Sequence, residues 1–336
     1  MNQNEIKMAI ESGWLSAGLP AFSLAHSMYN LICGISKSAE IFPKICGWTE
    51  AHKRQWYYPK RLYHYTSMDG FNGILFSPVN LKDVLLPKAC TEKESAGLCA
   101  IFVRRVGSSN DPSEGGKLCS ELFNEVVSDL HKKGLVSEEY FQLLKDIISR
   151  GDAVYSQWPD VVEYIACFSS ERDYLPMWNR YADVGGVSLG FDFQNMGLQF
   201  PLVYSKAEQI YCVHKACEVL NGIFEKEYLS NSSGVKREIV ALFEFFSARF
   251  KSSAYSYEKE WRMRIINNGN EFESKIVSGE YLLIALPKSC LKEVILSPNT
   301  PETQMNATQD KLNSGGYNCV VSISSIPYTP RSTVTR

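Results

Sequence analysis

Segments with the hydrophobic spacing of strands and segments with the spacing of helices both occur along this chain, and together they predict a sheet flanked by helices. Alternating or wholly apolar runs, which are typical of strands, occupy residues 61–67, 98–103, 161–168, 186–192, 200–204, 261–266, 281–286, 293–297 and 319–325. Apolar residues at helical spacing predict helices over residues 68–75, 117–133, 136–150, 173–182, 206–228 and 235–250. Because the two kinds of segment mix irregularly and the last third is strand-rich, we expect an α+β fold with a mixed or antiparallel sheet.

The chain divides by composition into three parts. Residues 1–57 predict an N-terminal helical annex, residues 58–329 an α+β domain of catalytic type, and residues 330–336 a frayed tail. Residues 12–36 carry no Asp, Glu, Lys or Arg, and this length approaches that of a membrane span. Pro20 and polar residues interrupt the run, however, and Lys7 stands between two glutamates. We therefore expect short helices packed on the domain and no membrane partner.

Composition and charge narrow the function classes. With 336 residues, 45% of them hydrophobic and 12% aromatic, the chain can bury a large core. A formal net charge of -2 argues against a general polyanion binder. The ten cysteines include no C-x-x-C pair, so we expect a reducing cytoplasm and neither structural disulfides nor zinc. Cys99, Cys167 and Cys319 lie in apolar strand-like runs and are expected to be small buried hydrophobes.

The segment around residues 257–264 is the first candidate site. Strand alternation predicts that Glu258, Glu260 and Arg262 share one face, while Trp261 and Met263 point to the other. Two carboxylates this close raise each other's pKa, and such a pair can bind a hydroxyl-bearing ligand while polarising a nucleophile. The alternative is an edge strand whose alternating charges are simply solvated.

Further candidates lie where predicted strands meet helices. His64 ends a strand beside a helix N-terminus that Thr66 or Ser67 caps, a position that suits an anionic or carbonyl-bearing ligand. Ser169 ends a buried strand and could hold its hydroxyl toward a cleft. Trp178 and Tyr181 lie three residues apart and could stack a planar ring. The alternatives are a structural histidine and the buried stripe of a crossover helix.

Seven ordered motifs resemble a bacterial family known as domain of unknown function 2971. They are Leu-Tyr-His-Tyr-Thr-Ser at 62–67 with the following Gly-x-x-x-Ile-Leu, Asn-Asp-Pro-x-Glu at 110–114, Cys-Phe-Ser at 167–169, Met-Trp-x-x-Tyr-Ala at 177–182, Gly-Val-x-Leu-Gly-Phe at 186–191, Tyr-Glu-x-Glu-x-Arg at 257–262 and Ile-Pro-Tyr at 326–328. The resemblance spans about residues 60 to 328. Residues 1–57 lie outside it, and the stretch between the first two motifs is longer than usual. The Asn-Asp-Pro turn is expected to be structural, through Asn110, Asp111 and Glu114.

The motif order also resembles that of ADP-ribosyltransferases, which implies that NAD is the substrate and that no metal is needed. By that resemblance His64 would hold the NAD ribose, with Tyr65 and Thr66 beside it. The nicotinamide pocket would be lined by Ser169 or Tyr181, with the Trp178 ring stacking the leaving group. Glu260, with Glu258, would grip the ribose and stabilise the oxocarbenium-like centre, and Arg262 would bind the cofactor. Glu260 is expected to matter more, since Glu258 lies nearer the strand entrance and should be more mobile.

The leading hypothesis is therefore an ADP-ribosyltransferase or NAD glycohydrolase, acting as a toxin or phage-defence effector in the bacterial cytoplasm. A protein or nucleic acid would be the acceptor, and an inhibitory partner would restrain the activity. The alternatives are a metal-independent nuclease that uses His64 with a glutamate, and a non-catalytic nucleotide-sensing or interaction module. The hypothesis requires His64, a glutamate, and Ser169 or Tyr181 to converge. A His64 on the opposite face of the sheet from both glutamates would contradict the transferase mechanism.

Overall fold

The computed structural model describes residues 59–85, 95–105, 116–149, 161–182, 185–193, 199–228, 232–268 and 281–327. The predicted helical annex, the 110–114 motif and the tail lie outside these ranges. Within them, ten strands form one sheet that packs beside helices, which confirms the predicted α+β class with a mixed sheet.

The strands follow the sequence pattern closely. They are β1 (Leu62–Thr66), β2 (Val84–Leu85), β3 (Leu98–Arg105), β4 (Val161–Ser169), β5 (Val187–Phe191), β6 (Gln199–Pro201), β7 (Glu260–Asn268), β8 (Tyr281–Pro287), β9 (Leu291–Leu296) and β10 (Val320–Ile323). The helices are α1 (Met68–Phe76), α2 (Gly116–Lys132), α3 (Glu138–Ser149), α4 (Leu175–Met177, continued by a π-helical turn over Trp178–Ala182), α5 (Lys206–Glu227), α6 (Ser232–Ser247) and α7 (Glu302–Ser314). A 3₁₀ helix over Ser253–Glu258 precedes β7.

Strand β4 is the point at which the sheet divides. The main path of the sheet runs β10-β9-β5-β1-β4-β3-β8-β2, and β7 pairs with β4 and β6. Along one edge, β4 pairs antiparallel with β7 over its full length. On its other edge β4 meets β1 at Ser169 and β3 at Tyr164 and Ile165. The sheet is mixed because β10 runs parallel to β9 and β2 runs parallel to β8.

The two faces of the sheet differ in chemistry. Phe168 of β4 pairs with Trp261 of β7, and both belong to the apolar core that α1 and α7 cover. Since side chains alternate along a strand, the neighbouring pairs point the other way. These pairs are Ser169 with Glu260 and Cys167 with Arg262. We call the face that carries them the glutamate face.

A second apolar core lies between four of the helices. Helices α2, α3, α5 and α6 bury an apolar cluster in which the Phe123 ring packs against those of Phe243 and Phe246. The Tyr140 hydroxyl donates to the Cys217 backbone oxygen at 3.1 Å, which satisfies this polar group within the cluster. No helix within the described ranges combines the length and apolar composition needed to cross a membrane.

Two local features bear on the sequence predictions. Ser67 is the N-cap of α1 and accepts a hydrogen bond from the Gly70 backbone at 3.1 Å, as expected. Helix α7 was not predicted, because it is polar throughout and buries only Thr308 and Leu312. A polar helix of this kind lacks the apolar stripe that makes a helix visible in the sequence.

Candidate functional site

Glu258 and Glu260 meet at a buried lysine. The Lys251 Nζ donates to Glu258 Oε2 at 2.5 Å and to Glu260 Oε2 at 2.6 Å. All three side chains are nearly inaccessible, at 3%, 2% and 4% exposed respectively. The predicted proximity of the two carboxylates is therefore confirmed, although the lysine that joins them was not predicted.

The backbone brings the two glutamates together in an unexpected way. Glu258 ends the 3₁₀ helix, and Glu260 begins β7, so the two do not lie on one strand as predicted. Lys259 between them adopts a left-handed conformation, with φ 44° and ψ 50°. A left-handed residue is uncommon outside glycine, and here it turns the chain so that both neighbours face Lys251.

Arg262 is part of the same buried network. Its Nε donates to Glu260 Oε1 at 2.6 Å, and its Nη1 donates to the Ala248 backbone oxygen at 3.2 Å. The side chain is 1% exposed. The guanidinium is turned into the protein, where it holds Glu260 against the end of α6, and its predicted role in cofactor binding stays a prediction.

The two carboxyl groups titrate differently. Burial raises the pKa of Glu258, and the bonds from Lys251 and Tyr181 offset only part of that effect. Burial would also raise the pKa of Glu260, but the charges and hydrogen bonds of Arg262 and Lys251 outweigh it and lower the pKa to about 2. The expected mutual increase in pKa therefore holds for Glu258 alone. Neighbouring carboxyls whose pKa values are driven apart are typical of acid–base sites.

Tyr181 and Ser169 complete the site around Glu258. The half-buried Tyr181 donates its hydroxyl to Glu258 Oε1 at 2.5 Å. Ser169, fully buried, donates to the Glu258 backbone oxygen at 2.7 Å and accepts from the Glu171 backbone nitrogen at 3.1 Å. The structure thus brings these predicted residues together, with Ser169 bracing the backbone instead of facing a cleft. Glu258 is held by two side-chain bonds and does not have the loose setting expected of it.

His64 lies on the other side of the sheet. It pairs with Leu189 of β5, and its ring lies 5.7 Å from that of Phe168, both partners belonging to the apolar core. Tyr63, not His64, stands in register with Ser169 and therefore shares the glutamate face. His64 Nδ1 hydrogen-bonds the Cys167 backbone oxygen at 2.9 Å, and burial lowers the pKa of its imidazole.

The position of His64 contradicts its predicted role in the transferase and nuclease hypotheses. A histidine on the apolar side cannot hold a ribose that the glutamates also contact, so the transferase mechanism with His64 as the ribose-binding residue is contradicted. The nuclease hypothesis, which pairs His64 with a glutamate, fails for the same reason. The physical cause is strand alternation, which separates adjacent residues onto opposite faces.

Three further predicted residues either lie on the His64 side of the sheet or are bonded within the fold. Thr66 pairs with Val187 of the apolar core and so shares the His64 side of the sheet. Tyr65 faces the glutamate side, but its buried hydroxyl donates to the Glu171 backbone oxygen at 2.9 Å and accepts from the Tyr174 backbone at 3.1 Å. The Trp178 ring is 2% exposed, packs edge-on against Tyr65 and donates its indole N–H to Asp173 Oδ1 at 2.7 Å. For Trp178 the buried-stripe alternative is therefore correct.

Cys167 is not the buried hydrophobe that was predicted. It pairs with Arg262 on the glutamate face, and its side chain is exposed to solvent. Its crowded surroundings nevertheless desolvate the thiol, and this effect and the Glu260 charge raise its pKa well above the usual value. Cys99 and Cys319 are buried as expected.

Sequence reasoning missed Lys251 because a single lysine in a polar segment after a helix carries no periodic signal. The eight residues from Lys251 to Glu258 form a turn that only the fold reveals. Across the described ranges, no three His, Cys, Asp or Glu side chains are grouped so that they could hold a metal ion.

A comparison with family models is consistent with this geometry. The model of a family described as a protein of unknown function (DUF2971) matches residues 177–263. Over residues 177–263, about a quarter of the 336-residue chain, the protein is therefore similar to this family. The matched segment begins at α4, includes Tyr181 and ends within β7, so it contains both glutamates, Lys251 and Arg262.

The match confirms the family predicted from the motifs, over the three motifs that the segment contains. No curated protein and no solved structure matches the chain. The resemblance to ADP-ribosyltransferases stays a prediction.

Proposed function

We propose that this protein cleaves the N-glycosidic bond of a nucleotide, with NAD as the substrate to test first, and that Glu258 is the catalytic carboxylate. The observation that carries the proposal is the pair Tyr181–Glu258, in which a half-buried hydroxyl donates to a carboxylate of raised pKa. The other carboxylate of the pair, Glu260, stays ionised because its pKa is about 2. His64 has no part in this mechanism.

The chemistry follows from the charges that develop during hydrolysis. The bond between ribose C1′ and the nicotinamide nitrogen breaks, and both electrons leave with neutral nicotinamide. Positive charge grows at C1′, and a carboxylate held in a fixed position stabilises it without reorganisation. A water oxygen then bonds to C1′, and Glu258 accepts the proton that the water gives up.

Each neighbour of Glu258 supports a part of this role. Tyr181 stabilises the ionised carboxylate and is half-buried, so it links Glu258 to the solvent side. Lys251 bridges Glu258 and Glu260, and Arg262 neutralises Glu260 further inside. Ser169 fixes the Glu258 backbone, which gives the carboxylate a defined direction. The raised pKa of Glu258 makes its carboxylate a stronger base toward the attacking water.

The direct test is incubation of the purified protein with NAD labelled in both the nicotinamide and the adenylate parts. Release of free nicotinamide together with ADP-ribose is the expected result. Label on a protein or nucleic acid would instead indicate transfer to an acceptor. The proposal fails if the labelled NAD is recovered intact across pH 5 to 9, whatever macromolecules are added.

One observation favours a second candidate, a non-catalytic nucleotide-sensing or interaction module. All four carboxylate oxygens of Glu258 and Glu260 accept a hydrogen bond from the protein itself. Such a closed network can serve the fold alone, since buried ion pairs are costly to break. Binding of NAD without any release of nicotinamide would support this candidate over the enzyme.

A further inference from the structure

Arg180 is an exposed cation beside the buried network. Lys251 and Arg262 match the two carboxylates of Glu258 and Glu260, so this network is balanced internally when both are ionised. Arg180 lies next to Tyr181 in the chain, is exposed to solvent, and forms no salt bridge among the described residues. An exposed guanidinium at the edge of a balanced network gives that edge a positive potential, and the Glu258 charge nearby helps to raise the pKa of Arg180.

Two contacts hold Arg180 at this edge. Its guanidinium carbon lies 5.6 Å from the centre of the Tyr255 ring, and Lys251 Nζ lies 5.0 Å from the same centre. A hydrogen bond with the Tyr181 side chain raises the pKa of Arg180. Tyr181 therefore connects the exposed guanidinium directly to the Glu258 carboxylate.

We propose that Arg180 binds a phosphate group of the nucleotide substrate, held in place by the Tyr255 ring. The inference rests on the proposed function, because it places the anionic part of the same substrate. A planar guanidinium offers paired N–H donors that match phosphate oxygens, and a ring face restricts its orientation before the ligand arrives. The proposal puts the reacting ribose at Glu258 and its 5′-phosphate toward Arg180, because Tyr181 contacts both side chains.

Other cations on the glutamate face are less suited to this role. Lys259 is exposed but forms a salt bridge with Glu171. Arg61 and Arg172 both bind the buried Glu293 carboxylate, at 2.7 Å and 2.9 Å, in a separate cluster near β9. Lys206, an exposed cation that pairs with Glu125 at 3.0 Å, therefore serves as the control, because it already has a carboxylate partner and has no part in positioning Glu258.

The test compares NAD with nicotinamide riboside, which has the same scissile bond but no phosphate. Arg180→Ala should raise KM for NAD by roughly tenfold, leave kcat within about twofold, and leave KM for the riboside unchanged. Arg180→Lys should restore part of the loss, and Lys206→Ala should behave like the wild type. An equal rise in KM for both substrates, or no rise for NAD, would overturn the subsite while leaving the proposed function intact.

A binding measurement separates this inference from the failure of catalysis. Titration calorimetry with ADP-ribose requires no turnover, and the wild type should bind at least tenfold more tightly than Arg180→Ala. That result would support the subsite even for a protein that releases no nicotinamide. Equal affinity of the two proteins, or no binding by the wild type, would overturn it.

Discussion

The hydroxyl of Tyr181 lies 2.5 Å from Oε1 of Glu258 and donates a hydrogen bond to it across a sequence separation of 77 residues. This bond stabilises the ionised carboxylate against the burial that raises its pKa. Replacing Tyr181 by Phe should therefore raise the pKa of Glu258 further and lower kcat for NAD cleavage by roughly tenfold or more. The acid limb of the pH profile should move to higher pH.

The control for Tyr181→Phe is Tyr174→Phe, which removes the hydroxyl of another half-buried tyrosine on the same segment. The quantity compared is the pH profile of NAD cleavage. Its profile should match that of the wild type. A Tyr181→Phe protein whose acid limb does not move would mean that Glu258 is not the group that titrates.

Lys251 should be essential to the fold. Lys251→Met leaves two buried carboxylates with Arg262 as the remaining cation, so the free energy of unfolding at pH 7 should fall by about 3–5 kcal/mol. Part of the loss should disappear near pH 4, where Glu258 can be protonated. Lys206→Met, which breaks an exposed pair with Glu125, should cost only ~0–1 kcal/mol. Urea unfolding at both pH values measures these differences.

Acid should weaken the fold through Glu260. Its folded pKa of about 2 lies below the unfolded value, so its stabilisation is complete above the unfolded pKa and is lost as pH falls toward 2. Glu258 has a raised pKa and therefore acts in the opposite direction, favouring the fold as it becomes protonated. The shift of Glu260 corresponds to roughly 3 kcal/mol.

The Glu260→Gln variant isolates this contribution. It should be less stable than the wild type at pH 7, and the difference should shrink steadily between pH 5 and pH 2. Denaturant unfolding at several pH values follows the trend. A difference that stays constant with pH would show that Glu260 has no depressed pKa.

His64 should be dispensable for NAD cleavage. It faces the apolar core on the side opposite the glutamates, so His64→Gln should change kcat/KM for NAD by less than about threefold once folding is verified by thermal unfolding. Loss of stability is expected if the bond to the Cys167 backbone matters. A hundredfold loss of activity in a protein with unchanged Tm would restore His64 to the site.

The sequence predicted most strands and the family, but it could not decide which side of β1 faces the glutamates. In the segment Leu62–Thr66 both alternating sets contain buried residues, so the pattern alone does not decide the face, which depends on the register with Ser169. A shift of one residue exchanges the two sets. The proximity of Glu258 and Tyr181 was predicted correctly, whereas Lys251 and the left-handed Lys259 depend on a turn that has no repeating pattern.

Comparing variants of the two glutamates tests most directly whether Glu258 is the catalytic carboxylate. The rate of nicotinamide release from NAD should fall by roughly 10²-fold or more in Glu258→Gln, which removes the catalytic base at constant shape. In Glu260→Gln the loss should follow the loss of folded protein, since Glu260 acts by holding Lys251 and Arg262. A fully active Glu258→Gln protein, beside a folded but inactive Glu260→Gln protein, would contradict the assignment.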